Sequence, residues 1–168
     1  KAELEKILPR VVELPFDSER KRMTTLHSLS PTGISAGPMQ KGLSQLSGGA
    51  GWLAFTKGAV DGMLDIAAGV WADGSVQPID DQWKERIRAA NNRMAGEGMR
   101  VLGLASRSYA EKPATLVEDD LVLIGLIGMI DPARPEVKAA VATARSAGIR
   151  PIMITGDHPL TAMAIARE

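Results

Sequence analysis

The sequence predicts an α+β domain, an antiparallel sheet with flanking helices, followed by a partial α/β segment. Over the first 128 residues, short apolar runs and turn-forming residues show no regular strand–helix alternation. The pattern changes after residue 131, where strand and helix begin to alternate as is typical of a parallel α/β sheet. We therefore place a domain boundary near residues 128–134, with one domain over 1–128 and a second segment over 129–168.

The composition indicates an ordinary globular protein and excludes several kinds of partner and site. The chain has 168 residues with 20 Lys plus Arg against 20 Asp plus Glu, so no net charge attracts nucleic acid or an anionic membrane surface. Because it has no cysteine, disulfides and thiolate metal sites are excluded. The longest apolar run, residues 121–130, is shorter than the roughly 20 residues of a membrane-spanning helix and predicts a buried strand. The N-terminal residues KAELEKILPR lack the features of a signal peptide.

The first part of the chain predicts one helix, three strands and a long loop. Apolar residues at helical spacing precede Pro9, and turn formers at 17–19 separate two strand-like runs that we expect to form a hairpin. Residues 30–50 are rich in Gly, Ser and Pro without periodicity, which predicts a surface loop. The predicted bounds are 2–8 for the helix and 11–16, 20–29 and 51–57 for the strands.

The region from 61 to 130 contains the strongest helical pattern of the first domain. Residues 80–96 carry apolar side chains every three or four positions, with Asp80 or Asp81 as the expected N-cap. The other predicted elements are a short helix over 61–71, a turn at Asp73-Gly74, strands over 99–105 and 121–130, and a polar connector over 112–120.

The residues after 131 predict an incomplete α/β unit. Pro135 fits the first turn of a helix that Gly148 ends, and Pro159 starts another helix that reaches the end of the chain. Between them, residues 149–155 predict a strand buried on both faces. Since a doubly wound sheet usually has roughly five or six strands, we expect this chain to be an excerpt of a longer protein.

The strongest local signal for chemistry is Thr155-Gly156-Asp157, at the end of the predicted strand. A carboxylate just past the carboxyl end of a parallel strand stands where open α/β sheets bind ligands. Thr155 offers a hydroxyl, Gly156 lets a phosphate approach the backbone, and Asp157 can hold Mg²⁺ directly or through water. The alternative interpretation is that Asp157 caps the helix that follows.

A second candidate is the segment DPARP at residues 131–135, at the proposed domain boundary. Its two prolines stiffen the connector, and Asp131 follows a predicted buried strand. The functional interpretation is a hinge that positions Arg134 for a phosphate. The alternative is a well-formed start of the next helix.

Lys57-Gly58 is a third candidate because it ends a predicted strand. A lysine beside glycine can reach a nucleotide with no side chain in the way. The alternative is a simple turn at the end of the strand.

A fourth candidate is the cluster around the predicted hairpin turn. Phe16 can stack on adenine, and the cations Arg20 and Lys21, close to Met23, can meet phosphates. The alternative is a hairpin with Phe16 in the core and a solvated basic edge.

Several catalytic and metal-binding patterns are absent from the sequence. Lys57-Gly58 lacks the preceding glycines of a Walker loop, and no Gly-x-Ser-x-Gly motif occurs. His27 and His158 show no metal-ligand spacing, so we predict no protein metal-ligand set. No DxD-like nucleophile motif stands at a first strand, which argues against a complete haloacid-dehalogenase-type phosphatase.

The motifs taken in order resemble a known family. PFDSERKRM, FTKGA, GMRVLGLA, GMIDPARPEV and AGIRPIMITGDHPLTAMAIA look like the cytoplasmic portion of type-II P-type ATPases, the class that includes calcium and sodium/potassium pumps. The resemblance covers the chain apart from residues 30–50. It implies a nucleotide-binding domain over 1–128 that lacks its first segment. It also implies a hinge and a partial, haloacid-dehalogenase-like phosphorylation domain over 129–168.

The resemblance also implies roles for individual residues. Phe16 resembles the aromatic that stacks on adenine, and Arg100 the arginine near the ATP phosphates or ribose. The remaining implied roles are Lys21, Met23, Lys57 and Gly58 in the nucleotide pocket, Asp131 and Arg134 at the hinge, and Thr155, Gly156 and Asp157 around the transferred phosphoryl group and its Mg²⁺.

The sequence departs from the family pattern at several points. Ser18 stands where some calcium pumps carry an arginine, so one phosphate contact is lost or passes to Arg20. Val60 replaces the usual proline after KGA. The phosphorylated aspartate of DKTGT, the acidic adenine contact and the GDGxND motif do not occur, so we assign no catalytic residue and expect only weak ATP binding.

The resemblance implies that the parent protein is a membrane-bound, cation-transporting ATPase with this portion on the cytoplasmic side. ATP and Mg²⁺ are the expected cofactors, and the phosphorylation, actuator and membrane domains the expected partners. The nucleotide domain would position ATP for transfer of its γ-phosphoryl group to an aspartate. The alternatives are a non-catalytic nucleotide-binding or regulatory module and a fragment of a haloacid-dehalogenase-type phosphatase. The motifs most resemble those of calcium pumps, with magnesium, sodium/potassium and proton transport left open, because ion selectivity resides in membrane helices.

Overall fold

The computed structural model describes residue 5 and residues 8–29, 38–130 and 133–167. The described residues form two compact units. The first draws on residues 1–86 and 102–127, and the second on residues 87–101 and 128–168.

Seven strands form one mixed sheet in the order β1-β2-β3-β6-β7-β4-β5. The strands are β1 Arg10–Asp17, β2 Arg22–Ser28, β3 Trp52–Gly58, β4 Ala67–Ala72, β5 Ser75–Pro78, β6 Arg100–Tyr109 and β7 Leu121–Met129. The β1–β2, β2–β3, β3–β6 and β4–β5 pairs are antiparallel, but β4 and β7 are parallel. The expected α+β architecture is therefore confirmed, while the expectation of a wholly antiparallel sheet is wrong. Helical residues and β6 intervene between β4 and β7 and supply the long crossover that a parallel pair requires.

Five helices accompany the strands within the described ranges. They are α1 Pro38–Ser47, α2 Val60–Asp65, α3 Asp81–Gly96, α4 Pro135–Ser146 and α5 Pro159–Arg167. The predicted N-cap of α3 is confirmed at Asp80, whose Oδ1 accepts a hydrogen bond of 2.8 Å from the Trp83 backbone N–H. The α4 helix begins at Pro135, as predicted, and the chain leaves it through Gly148 at a φ of 77°. None of these helices is long and apolar enough to cross a bilayer.

Two predicted elements of the first unit differ from the structure. The predicted loop over 30–50 contains α1, in which Leu43 and Ser47 are buried; residues 30–37 lie outside the described part. The glycines and serines of this segment led to the prediction of a loop, although residues 38–47 form an amphipathic helix. The predicted helix over 61–71 ends at Asp65, and the following residues form β4. Gly69 allows that strand to approach β5, because a side chain there would lie 3.0 Å from Val76 Cγ1.

Neither of the elements predicted near the ends of the chain, a helix over 2–8 and a strand over 149–155, is confirmed by the structure. The predicted helix over 2–8 falls mostly on residues outside the described part. The predicted buried strand over 149–155 is wrong, since these residues adopt no strand and Ile152 and Ile154 are 77% and 94% exposed. A strand buried on both faces needs neighbouring strands, and the described residues provide none beside it.

One face of the β2–β3 pair, which we call the connector face, carries a hydrophobic cluster. Leu26 and Ala54 are register partners and pack with Leu116 from residues 110–120, the connector between β6 and β7. Further apolar side chains close around them, namely Val12, Leu14, Trp52 and Tyr109. Because alternate residues of a strand point to opposite faces, Met23, Thr25, Phe55 and Lys57 belong to the other side.

The cluster predicts that Leu26 is a major determinant of stability. Leu26 is fully buried, so Leu26→Ala removes packed methyl groups and leaves a cavity, with an expected loss of about 3 kcal/mol in the free energy of unfolding. Urea unfolding followed by circular dichroism measures this loss. Val76→Ala on β5, where the side chain is 49% exposed, is the control and should cost much less. Equal losses for the two variants would contradict this assignment of the core.

Candidate nucleotide-binding site

A groove lies on the face of the sheet opposite the connector, which we call the groove face. It has a volume of about 290 Å³. Its lining residues are Arg10, Met23, Thr25, Phe55, Thr56, Lys57, Leu104, Ala105 and Ile124. The lining is mainly apolar, carries two cations and includes no carboxylate. Such a surface can hold an apolar ring, and it has no negative charge that would repel an anion.

Met23 and Lys57, two of the predicted site residues, meet in this groove. They are register partners across β2 and β3, so their side chains project from the same face. Leu104 of β6 is the next partner of Lys57, which extends the same row. Lys57 is exposed, and its ammonium group is therefore available to a ligand.

Gly58 and Lys21 lie where β2 begins and β3 ends. A Cβ atom at position 58 would lie 2.5 Å from Arg22 Cβ and 2.8 Å from the Lys21 carbonyl oxygen, so no side chain fits there. The Ala59 backbone N–H donates to that same carbonyl oxygen at 3.0 Å. Lys21 itself has a φ of 52°, an uncommon conformation for a non-glycine residue. Both residues are thus held in fixed positions beside the groove, although neither lines it.

Phe16 is an exposed aromatic on β1. Its side chain is 65% exposed, and it stands at an irregularity in the β1–β2 register between Leu14 and Asp17. The alternative interpretation that Phe16 belongs to the core is therefore wrong. It is not among the groove-lining residues, but an exposed ring offers a face on which a base can stack.

A buried acid in this region, Glu118, was not predicted from the sequence. Its side chain is 5% exposed and accepts hydrogen bonds from Arg20 Nη1, from Arg22 Nε at 2.9 Å and from Thr24 Oγ1 at 2.7 Å. The expected solvated basic edge of the hairpin is thus paired at Arg20 and Arg22. Leu116 and Glu118 are buried whereas Val117 and Asp119 are exposed. That alternation follows from the fold and is not visible in the sequence, where Leu116 and Val117 are both apolar and Glu118 and Asp119 are both acidic.

The electrostatics of this cluster favour the charged forms. Burial raises the pKa of Glu118, but the hydrogen bonds from Arg20, Thr24 and Arg22 outweigh it and hold the pKa below its usual value. The hydrogen bond to Glu118 raises the pKa of Arg20. The Arg20 backbone N–H, which donates to Asp17 Oδ1 at 2.9 Å, lowers the pKa of Asp17.

In the second unit, Arg100 and Asp157 form an ion pair. The Arg100 Nε and Asp157 Oδ1 atoms are 2.8 Å apart, so two residues predicted from separate motifs come together. The Asp157 backbone N–H donates to Thr155 Oγ1 at 3.1 Å, and Gly156 has open space where a side chain would project. His158 caps the first turn of α5, because its Nδ1 accepts a hydrogen bond from the Leu160 backbone N–H. The described hydrogen bonds thus give the cap to His158, not to Asp157.

The predicted hinge is described only in part. Asp131 lies outside the described residues. Arg134 is exposed and precedes Pro135 as the N-cap residue of α4, with no hydrogen bond from its side chain to the helix end. Across the described ranges, no three His, Asp or Glu side chains gather into a group that could hold a metal ion.

Comparison with known proteins decides the family. Residues 1–136 match the family described as P-type ATPase, cytoplasmic domain N. The chain belongs to the P-type cation ATPases. This confirms the family resemblance that the sequence motifs indicated.

Relatives of the chain in this P-type family include pumps for different cations. Calcium-transporting ATPase 1 of Bacillus cereus is 38% identical over 167 residues, which are 98% of this chain and 17% of the relative. Sodium/potassium-transporting ATPase subunit alpha-3 of Rattus norvegicus is 34% identical over 169 residues, 94% of this chain and 15% of the relative. These relatives are ATP-hydrolysing enzymes, and this chain spans about a sixth of their length.

The close approach at Gly58 predicts that this position accepts no side chain. In Gly58→Ala the new methyl group would collide with the β2 backbone, at an expected cost of about 2 kcal/mol in the free energy of unfolding. Urea unfolding measures the cost. Gly125→Ala is the matched control, because Gly125 lies within β7 and a Cβ there meets nothing within 4 Å. A loss at Gly58 no larger than at Gly125 would refute the steric argument.

The lowered pKa of Glu118 predicts a loss of stability in acid. A carboxyl whose folded pKa lies below its unfolded value of 4.5 stabilises the fold fully above that pH. The contribution then disappears as the pH falls through the folded pKa. At neutral pH we expect the free energy of unfolding of Glu118→Gln to be about 2 kcal/mol lower than that of the wild type. This difference should shrink as the pH falls below 4.5.

Urea unfolding at a series of pH values measures that difference. Glu111→Gln, at an exposed position of the same connector, is the matched control for the change of charge. A difference between wild type and Glu118→Gln that stays constant through the acid range would contradict the linkage.

Proposed function

We propose that this chain binds ATP through its first unit and positions it for phosphoryl transfer in a cation-transporting P-type ATPase. The observation that carries this proposal is the pairing of Met23 and Lys57 across β2 and β3 in an apolar groove. Membership of the cytoplasmic domain N family supports the same conclusion.

The chemistry of the first unit suits a nucleotide. An adenine ring gains from apolar contacts and from stacking, which the groove and the exposed ring of Phe16 offer. The triphosphate gains from cations, and Lys21 and Lys57 are both exposed. Because no carboxylate lines the groove, no like charge opposes the phosphates there. Gly58 contributes by its lack of a side chain.

The residues of the second unit suit the phosphate end of the reaction. We propose that Thr155, Gly156 and Asp157 belong to a partial haloacid-dehalogenase-like phosphorylation domain that starts near residue 129. Asp157 carries a carboxylate of the type that Mg²⁺ prefers, together with the phosphates of a nucleotide. Mg²⁺ would neutralise charge on those phosphates. Arg100, Asp131 and Arg134 are proposed as phosphate or hinge residues.

In this proposal the chain supplies positioning and not the covalent step. The aspartate that would accept the γ-phosphoryl group is not in the sequence, so it belongs to another part of the proposed pump. The proposed partners are the phosphorylation, actuator and membrane domains, with this portion on the cytoplasmic side. Relatives that transport calcium and relatives that transport sodium and potassium match at similar identity, so the cation is left open.

Titration of the chain with ATP, with and without Mg²⁺, tests the proposal. Binding should shift the backbone NMR resonances of Met23 and Lys57, and Lys57→Ala should raise the ATP Kd roughly tenfold by removing one charge-assisted contact. Lys112→Ala, at an exposed lysine of the connector, is the control and should bind as the wild type does. The proposal fails if millimolar ATP leaves the groove resonances unshifted, or if the two lysine variants lose affinity equally.

A further inference from the structure

Glu118 lies on the connector face, on the side of the sheet away from the groove. It is the shared acceptor of a polar cluster composed of Arg20, Arg22 and Thr24. Thr24 continues the cluster to Thr56, with the two Oγ1 atoms 2.8 Å apart. Glu118, Thr24 and Thr56 are buried, whereas Arg20 and Arg22 are half-buried.

The cluster reaches the neighbours of the proposed nucleotide residues along the chain. Arg20 and Arg22 flank Lys21, and Arg22 and Thr24 flank Met23. Thr56 precedes Lys57 directly in β3.

Arg20 extends the cluster to β1. Its Nη2 donates to the Pro15 carbonyl oxygen at 2.8 Å, directly before Phe16. Phe16, Met23 and Lys57 therefore each have an adjacent residue that is hydrogen-bonded to Glu118 directly or through one intermediate side chain.

Because of strand geometry, hydrogen bonds on the connector face also fix the positions of side chains on the groove face. Consecutive strand residues point to opposite sides, so fixing Thr24 and Thr56 on one face fixes Met23 and Lys57 on the other. At the turn, Arg22 Nη1 also donates to the Arg20 carbonyl oxygen at 3.2 Å, which holds the backbone on both sides of Lys21. Lys21 occupies the left-handed region there and is strained unless its surroundings hold it.

We propose that Glu118 is a positioning residue of the nucleotide site, which holds Phe16, Lys21, Met23 and Lys57 in place from the opposite face of the sheet. This inference rests on the proposed function, since it concerns the same ATP site. Glu118 does not touch the nucleotide and acts only through Arg20, Arg22 and Thr24. A carboxylate suits this role because its two oxygens accept from all three donors at once.

Glu118→Gln tests the role by the direction of its effect on ATP affinity. The amide accepts at one atom only and presents N–H groups toward the arginines, so the cluster loosens. We expect the ATP Kd to rise roughly threefold to tenfold under conditions in which the variant is folded. A purely electrostatic effect has the opposite sign, because removing a negative charge near the site favours an anionic ligand. A purely structural role lowers the temperature of unfolding without changing Kd in the folded state.

Asp119→Asn is the matched control. It makes the same change of charge at the next residue, where the side chain is 58% exposed and pairs with Arg107. We expect its ATP Kd to equal that of the wild type. Adenosine distinguishes the routes further, because loss of positioning at Phe16 weakens adenosine as well as ATP, whereas a change at the phosphates weakens ATP alone.

The outcomes separate this inference from the function on which it rests. If the wild type binds ATP and Glu118→Gln binds it equally or more tightly, the positioning role is overturned and the proposed function stands. If the wild type binds no ATP, both are overturned. Should Glu118→Gln fail to fold, Thr24→Val breaks the 2.7 Å hydrogen bond to Glu118 without a change of charge, and the same rise in Kd is expected.

Discussion

The register between β2 and β3 is the constraint on which the rest of the first unit depends. Seven consecutive residue pairs run from Arg22 opposite Gly58 to Ser28 opposite Trp52 without a bulge. A slip of one residue would turn Met23 and Lys57 away from each other and bring core residues to the groove face. The close contact at Gly58 marks one end of this register, and the packing of Leu26 against Ala54 lies within it.

The same strand pair therefore serves stability on one face and the proposed site on the other. On the connector face it carries both the hydrophobic cluster and the buried carboxylate of Glu118. A buried charge is costly unless it is paired and fully hydrogen-bonded, and breaking such a pair costs more than the pair itself contributes. Three donors surround Glu118, and no buried polar side-chain atom among the described residues lacks a partner.

Local patterns in the sequence were sufficient where local interactions decide the structure. The β1–β2 hairpin followed from turn formers between two apolar runs, and α3 from its periodicity and the cap at Asp80. Local patterns failed where contacts between residues far apart in the chain determine the structure. β4 is a strand because β5 and β7 pair with it, and the apolar residues 149–155 are exposed because no described strand lies beside them. Local patterns marked most of the site residues as candidates and the resemblance gave them roles, whereas Arg100 came from the resemblance alone. Glu118 escaped both routes, because its donors lie more than ninety residues earlier in the chain.

The ion pairs of Glu118 and the ion pair of Asp157 differ in their exposure to solvent, and therefore in the cost of breaking them. The Glu118 carboxylate is 5% exposed, so separating it from its arginines would leave an unpaired buried charge. Arg100 and Asp157 are 59% and 24% exposed, and an ion pair in contact with water contributes about 0 to 1 kcal/mol. Separating Arg100 from Asp157 therefore costs little, which is what the proposed binding of a phosphate or a cation would require. The buried pairs of Glu118 thus suit a fixed framework, whereas the exposed pair of Arg100 and Asp157 suits contacts that a ligand can replace. This agrees with the proposed function, in which Glu118 does not touch the nucleotide and Asp157 lies at its phosphates.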